Sequence, residues 1–276
     1  MPVNYASKYA PQIDERFTQA ALSDGAVNQD YDFLGVETVK VYSVPVVGMN
    51  DYKTTGDNRY GDPAELENSV QEMILKKDRS FTFTIDRKSR DDTQMTMEAG
   101  KALQRQIDEV IIPEIDKYRF GVICGNAGVT IPLDVTKANA YEAFLTAQES
   151  LDNALAPAAG RVCFCKTSYY KKIKLDEAFT KKGDMATQIA INGMIGAIDD
   201  VPVVKAANRY FPEGVEFFIT NPIATPAPIK LTDYVIHDNP PGISGWLVEG
   251  RVRYDAFVLN SKKSAIAVVT APGSSS

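Results

Sequence analysis

Histidine is almost missing from this chain. His237 is the one histidine in 276 residues, so a Ser/His/Asp or Cys/His catalytic apparatus would have to be built on it. It stands in YVIHDNPPG, which reads as a strand end before a proline turn. Zinc sites made of several histidines are excluded by the same scarcity, whereas carboxylate sites for hard cations stay open. Cysteine is scarce as well. Cys124, Cys163 and Cys165 are odd in number and form no CxxC, and the C-x-C in RVCFCKTSYY puts two thiols on one face of a strand. They are expected to be buried and reduced, as in a cytosolic compartment, with no metal or redox role.

Positive charge is not in excess either. Thirty Lys+Arg against thirty-six Asp+Glu leave a formal charge of −6, the wrong sign for a chain whose main task is to neutralise phosphates along a duplex. No run of 18 apolar residues occurs, and MPVNYASKYAPQIDERF has no apolar export core. The sequence therefore predicts neither a membrane span nor a signal peptide. Phosphate-cradling loops are absent too. MEAGKALQRQ places Gly100 and Lys101 in a helical pattern rather than a glycine-rich loop, and neither CGNAGV nor INGMIG matches G-x-G-x-x-G. Asp91/Asp92 and Asp199/Asp200 read as helix-cap and turn residues rather than acid and base pairs. No catalytic, cofactor or metal residue is assigned.

What the chain does hold is ordinary globular material: 44% apolar and 24% charged residues, 18 Gly and 15 Pro. Residues 1–35 have few large aliphatic side chains but several aromatics (Tyr5, Tyr9, Phe17, Tyr31, Phe33) around one short helical run, which suits an arm that docks on something else. TVKVYSVPVV, 38–47, alternates like an edge strand until Pro45. Some twenty polar residues follow, punctuated by Tyr52 and Tyr60, a length uncommon for a loop in a compact domain. The chain returns through VQEMILKKDRSFTFTID, so the two flanking strands predict a long hairpin.

Next, Ser89 offers an N-cap with Asp91 and Asp92 in the first turn. Met95, Ala99, Leu103, Ile107 and Ile111 keep helical spacing, with charged residues opposite. A helix over 89–120 would span roughly 45 Å. Pro113 removes a backbone donor and predicts a kink near 109–113. A second helix is expected in TKANAYEAFLTAQESLDNAL, with Tyr141, Phe144, Leu145, Gln148, Leu151 and Leu155 on its apolar side. Interleaved strand, helix and loop signals over 160–221, then mostly strands over 222–271, predict an α+β protein.

An arm, a hairpin and a long helix bury little surface in a monomer but reach neighbouring copies well. On the residues alone an assembly protein is favoured over an enzyme or a binding module. The ordered set YASKYAPQIDERF, GAVNQDYDFLGVETVKVYSVP, FTFTIDRKSRDD, EAGKALQRQIDEVIIPEID and INGMIGAIDDVPVV resembles the major capsid proteins of tailed bacteriophages, especially phages of Gram-positive hosts, which share the fold named after phage Hong Kong 97. The resemblance runs along most of the chain. It implies an N-terminal arm over 1–38, an extended hairpin (the E-loop) with its strands over 39–88, a spine helix over 89–120, an axial domain over 121–221 and mainly peripheral strands over 222–276.

The same resemblance implies hexamers and pentamers of this chain closing an icosahedral shell around DNA held without sequence specificity. It also implies a portal, room for a decoration protein, and no cofactor or membrane. Inter-subunit contacts are expected from Tyr52, Lys53, Arg59 and Tyr60 in the E-loop and from Tyr5, Tyr9 and Phe17 in the arm. Met95, Leu103, Ile107 and Ile111 are expected to form the core face of the spine. The arm begins almost directly after Met1, so any scaffolding protein is expected to be separate. The Lys–Asn isopeptide cross-link of the type member has no motif here, although Lys53 and Asn260 fall in comparable regions. A bacterial nanocompartment shell shares the fold and is the nearest alternative; a soluble α+β enzyme is the alternative of another class.

Overall fold

The computed structural model describes residues 21–28, 38–43, 47–62, 65, 69–86, 103–180 and 196–273. Tyr5, Tyr9, Phe17 and Met95 lie outside them, as does most of the arm. Two units are distinguished, one of residues 33–75 and one made of the rest of the chain.

In the smaller unit, β1 (Thr38–Ser43) and β2 (Ser69–Ile74) pair antiparallel, with Val39 opposite Met73 and Tyr42 opposite Val70. The alternation of the sequence sorts the two faces. Lys40, Tyr42, Val70, Glu72 and Ile74 are exposed on one, while Val39, Val41 and Gln71 are half-buried and Met73 is buried on the other. A Lys40–Glu72 ion pair of 2.8 Å crosses the exposed face, and Glu72 raises the pKa of Lys40 through that bond.

The larger unit holds a three-stranded and a six-stranded sheet. β3 (Lys77–Asp86) was expected as the return arm of the hairpin, within 39–88. Instead it leaves the hairpin and pairs along its whole length with β10 (Gly245–Tyr254), which pairs in turn with β9 (Ile229–Asp238). The reason is local. Residues 75 and 76 interrupt the strand, and the Lys76 N–H is taken by the Asp255 carboxylate at 2.8 Å, which fixes the start of β3 next to the end of β10. Phe81 and Phe83 then face a core shared with Leu103, Ile107, Ile112, Ile115, Val252 and Tyr254.

The backbone is helical from 103 onward and changes to a π turn at Ile107–Ile111 before α1, Ile112–Gly125. The irregularity expected near Pro113 is this π turn. It comes just before Pro113, which has no N–H and so leaves a carbonyl of that preceding turn without its helical donor. Helix α1 does not stop at Phe120. Ile123 and Cys124 continue its buried face, and the end comes at Asn126, whose side chain and main-chain N–H groups both bond Val122 O, at 2.9 and 3.1 Å.

Beyond α1 come β4 (Val129–Pro132), α2 (Ala140–Asn153), β5 (Val162–Lys166), α3 (Thr167–Lys174), α4 (Glu177–Thr180), β6 (Ala197–Ile198), β7 (Val201–Ala206) and β8 (Val215–Thr220). β6 and β7 turn through Asp199 and Asp200, both left-handed at φ 46° and 62°, the geometry of a tight hairpin turn. β11 (Ile266–Thr270) does not join the other C-terminal strands. It lies between β4 and β8 in the order β4-β11-β8-β5-β7-β6, so the expected boundary between 121–221 and 222–276 does not follow the sheets.

This sheet is covered on both faces, which explains the near-continuous apolar runs VCFC and IAVV. Phe144, Leu151, Tyr169 and Ile173 pack with Cys163, Cys165, Phe217, Ile219 and Val269. On the other face Phe120 and Ile123 pack with Phe164, Phe218, Ile266 and Val268. There the Phe120 ring meets Phe164, Phe211 and Phe218 at 5.1–5.3 Å between centroids, offset and edge contacts that add to area burial.

Candidate assembly surfaces

The loop of the smaller unit, 47–62, is exposed almost throughout and yet closed by its own bonds. Lys53 N–H donates to Arg59 O at 2.9 Å and Gly61 N–H to Asn58 O at 2.9 Å. Arg59 Nε reaches Gly56 O at 3.1 Å, and Asn58 Nδ2 reaches Asp62 Oδ1 at 2.9 Å. Tyr52 and Tyr60 meet edge to face, 5.1 Å apart. Gly61, at φ 89°, lies so close to Asn50 that a Cβ would overlap its side chain. Tyr52, Lys53, Arg59 and Tyr60 are thus brought together at one loop, with Tyr60 84% exposed and Met49, near the start of the same loop, fully so. A two-stranded hairpin is marginal by itself in water, and large side chains held in solvent on it are suited to meeting a surface that covers them.

The larger unit contains a buried polar cluster that periodicity did not reveal. The 3-10 turn Leu22–Ala26 is capped by the Asp116 carboxylate, which accepts from Leu22 N at 3.1 Å, Ser23 N at 3.1 Å and Ser23 Oγ at 2.6 Å. Arg119, without exposed surface, donates to Ser23 Oγ at 2.7 Å, Asp24 Oδ1 at 3.0 Å and Ala227 O at 3.0 Å. Asn28 then bridges to Pro226, with its N–H on Thr225 O at 2.8 Å. Burial raises the pKa of Asp24 against the opposing pull of Arg119, and burial lowers that of Arg119 against the pull of Asp24. The signal was present: Asp116 and Arg119 are charged residues on the same helix face as Ile112, Ile115, Phe120 and Ile123.

Asp255, also buried, accepts from Tyr118 Oη at 2.7 Å in addition to Lys76 N, and with burial this raises the Tyr118 pKa. On the outer face of the three-stranded sheet, Arg251 pairs with Asp78 and His237 with Glu249 at 3.0 Å. His237, the next-to-last residue of the edge strand β9, thus lies at a strand end, as expected, in an exposed pair. Leu103 and Ile107 are buried and Ile111 is half-buried. Cys124, Cys163 and Cys165 are buried free thiols, and burial pushes Cys165 up to about 12. Among the described residues no group of three or more metal-ligating side chains gathers, and no helix is long and apolar enough to cross a membrane. Lys53 is on the loop just described, and Asn260 opens the 3-10 turn Asn260–Ala265 of the larger unit.

No protein-family model matches the chain, and no curated protein matches it by sequence. Solved structures do match it in shape. A structure from Mycobacterium phage Che8 superposes with a TM-score of 0.69 at 16% identity, covering 91% of each chain. The capsid structure of cyanophage P-SCSP1u gives 0.67 at 12% identity, over 92% of this chain and 89% of that one. A virus-like particle from Pyrococcus furiosus gives 0.57 at 12% identity, over 97% and 100%. The chain therefore has the α+β fold of tailed-phage capsid proteins, the fold named after phage Hong Kong 97.

Proposed function

We propose that this chain is a major capsid protein, which assembles as hexamers and pentamers into a closed icosahedral shell around the double-stranded DNA of a tailed phage. The observation that carries this reading is the match over about nine-tenths of both chains to the capsid structure of a cyanophage. So full an overlap leaves little of either chain for another task. In this reading the arm over 1–38 and the loop of the 33–75 unit reach neighbouring copies, through Tyr5, Tyr9 and Phe17 and through Tyr52, Lys53, Arg59 and Tyr60. The helix ending in α1 is the spine, with Met95 on the same apolar face as Leu103, Ile107 and Ile111. The E-loop in this reading is β1, β2 and their loop, while β3 belongs to the larger unit. A scaffolding protein and a portal are the further partners.

The test is to express and concentrate the protein and image it by negative-stain microscopy. Closed shells of uniform diameter are expected; monodisperse small particles without shells would sink the reading. A second reading, a nanocompartment shell that encloses protein cargo, is favoured by the full-length overlap with the Pyrococcus virus-like particle. Nucleic acid extracted from nuclease-treated native particles distinguishes the two, since a cargo shell would contain none.

A further inference from the structure

Counted as a whole the chain is acidic, at −6, yet its cations are not evenly spread. Between Asp152 and Asp176 stand Arg161, Lys166, Lys171, Lys172 and Lys174 with no acid among them, and between Asp200 and Glu213 stand Lys205 and Arg209, again with none. The fold brings these two stretches together. β5 and β7 are parallel neighbours, with Cys165 in register with Lys205, so both stretches leave the sheet at the same end. There Thr167 Oγ1 donates to Ala206 O at 3.2 Å and Ser168 N–H to Asn208 Oδ1 at 3.3 Å, which ties α3 to the segment after β7.

Not every cation of the two stretches joins one surface. Arg161 is buried and donates to Ala156 O and Pro157 O at 2.7 and 3.0 Å. Lys172 pairs with Glu216 at 3.2 Å. Lys166 falls, by strand alternation, on the side of Phe164 and α1. What remains gathers around one ring. Helix α3 turns Tyr169 and Ile173 into the core, which leaves Tyr170, Lys171 and Lys174 along its outer side. The Lys174 ammonium lies 4.9 Å from the centre of the Tyr170 ring, and the Lys205 ammonium, coming from β7, lies 5.3 Å from it. Lys171 and Lys205 are exposed. Cations in the last turn of a helix complement its dipole, which accounts for Lys171 and Lys174 but not for a lysine sent from a strand to the same ring. Each ammonium is attracted by the ring, yet the two repel each other. Of the acids that follow α3, Asp176 is buried, its carboxylate held by the Tyr141 and Ala178 N–H groups at 2.9 Å, and Glu177 opens the next helix, α4.

We propose that Lys171, Lys174 and Lys205, grouped around Tyr170, bind the phosphate backbone of duplex DNA. An anion seated beside the two ammonium groups offsets their repulsion, and a duplex supplies one charge for about every 1.7 Å of its axis. Lysine suits this task. It contacts phosphate as a point charge, without the planar fork by which arginine fixes a bidentate geometry, and the Tyr170 ring is engaged by ammonium groups rather than offered to a base for stacking. The contact is one of charge and carries no sequence preference. The inference rests on the shell reading and assigns the enclosed DNA a surface on the protein, a local exception to a net charge that repels it.

The test is fluorescence anisotropy of a labelled duplex of about 20 base pairs, titrated with the full-length chain below its assembly concentration between about 50 and 200 mM salt. K171Q/K205Q should weaken binding by about tenfold and lower the slope of log affinity against log salt by about 2. K117Q/K137Q, the same charge change at two exposed lysines elsewhere, should alter neither. K171R/K205R, which keeps the charge, should bind as wild type does. Equal losses from the two Gln variants would mean that net charge alone acts, and overturn the proposal, as would a wild-type chain that does not bind the duplex. Polyglutamate bound at the patch in place of DNA also overturns it and points to an acidic protein. Shells in micrographs are a separate readout: their absence sinks the shell reading, whereas shells from a chain that fails the titration overturn only the DNA contact.

Discussion

Arg119 has no exposed surface, while Tyr60 stands 84% exposed. The two units of the chain thus invert the usual placement of charge and aromatic surface, and the contrast shows where each is completed. In the larger unit, the buried guanidinium of Arg119 is held through Nη1 and Nη2 by Ser23, Asp24 and Ala227 O, with the Asp116 charge nearby, and its Nε makes no hydrogen bond. In the 33–75 unit, Tyr42, Tyr52, Tyr60, Met49, Val70 and Ile74 are exposed on a two-stranded ribbon and its loop. That unit has too little layered structure to bury them by itself. The first pattern is that of polar groups paired inside a packed core; the second is that of apolar and aromatic side chains left in solvent.

The strongest way to break this comparison is Arg119→Met. It leaves two carboxylates, Asp24 and Asp116, without their buried cation, and should cost about 3–5 kcal/mol, read as a lower urea midpoint. A loss under about 1 kcal/mol would mean the cluster contributes little to the body. Next is Gly250→Ala. Its Cβ would lie 2.3 Å from Phe81 Cζ, so the ring must leave the core under β10, at roughly 1–3 kcal/mol in the same assay.

In the other unit the expected effect on the subunit is smaller still. Replacing 51–62 with a short Gly-Ser turn should change subunit stability by about 0.5 kcal/mol or less, with the circular-dichroism melt preserved and closed shells lost from micrographs. Unfolding of that variant would place the loop in the core and remove the contrast. Asp78→Asn is the mildest. The hydrogen bond from Arg251 holds the Asp78 carboxyl below its ordinary value of 3.8. Its stabilising effect is complete above that value and is lost as pH falls through the lower folded value. Wild type and Asp78→Asn melts should therefore differ slightly at neutral pH and converge in strong acid. A difference that persists in acid would show that the pair's charge is not its cause.

Parts of this were legible in the sequence. Alternation in SFTFTID and the short apolar run VCFC were enough to foresee strands, and Asp199-Asp200 to foresee a turn. The partner of β3 was not legible, since Phe81 pairs with Gly250, far along the chain, and the nearer hairpin partner looked equally suitable by pattern. Leu155 was misplaced for a different reason. Helical spacing carried it onto the apolar side of α2 after Leu151, but the helix ends at Asn153, and one left-handed residue turns the side chain into solvent. Leu145 is likewise exposed, and the buried face of α2 is Ala140, Ala143, Phe144, Ala147 and Leu151. Small alanines mark a close approach to the sheet that a search for large apolar residues passes over. Tyr52, Lys53, Arg59 and Tyr60 could be grouped by nearness in sequence, whereas the closed form of their loop depends on positive φ at Gly56, Asn58 and Gly61.

By itself the sequence determined strands in SFTFTID and VCFC, a helix in AYEAFLTAQESL, and that any histidine-based catalytic apparatus would have to use His237, because periodicity and composition are properties of short windows. Tertiary structure alone decided that β11 enters the six-stranded sheet, that Asp116 and Arg119 face inward to hold residues 22–24, and that Arg161 is spent on the carbonyls of an exposed loop. Those outcomes depend on which distant segments come to lie side by side. There the cost of a buried charge or a strained backbone is weighed against partners that no local pattern contains.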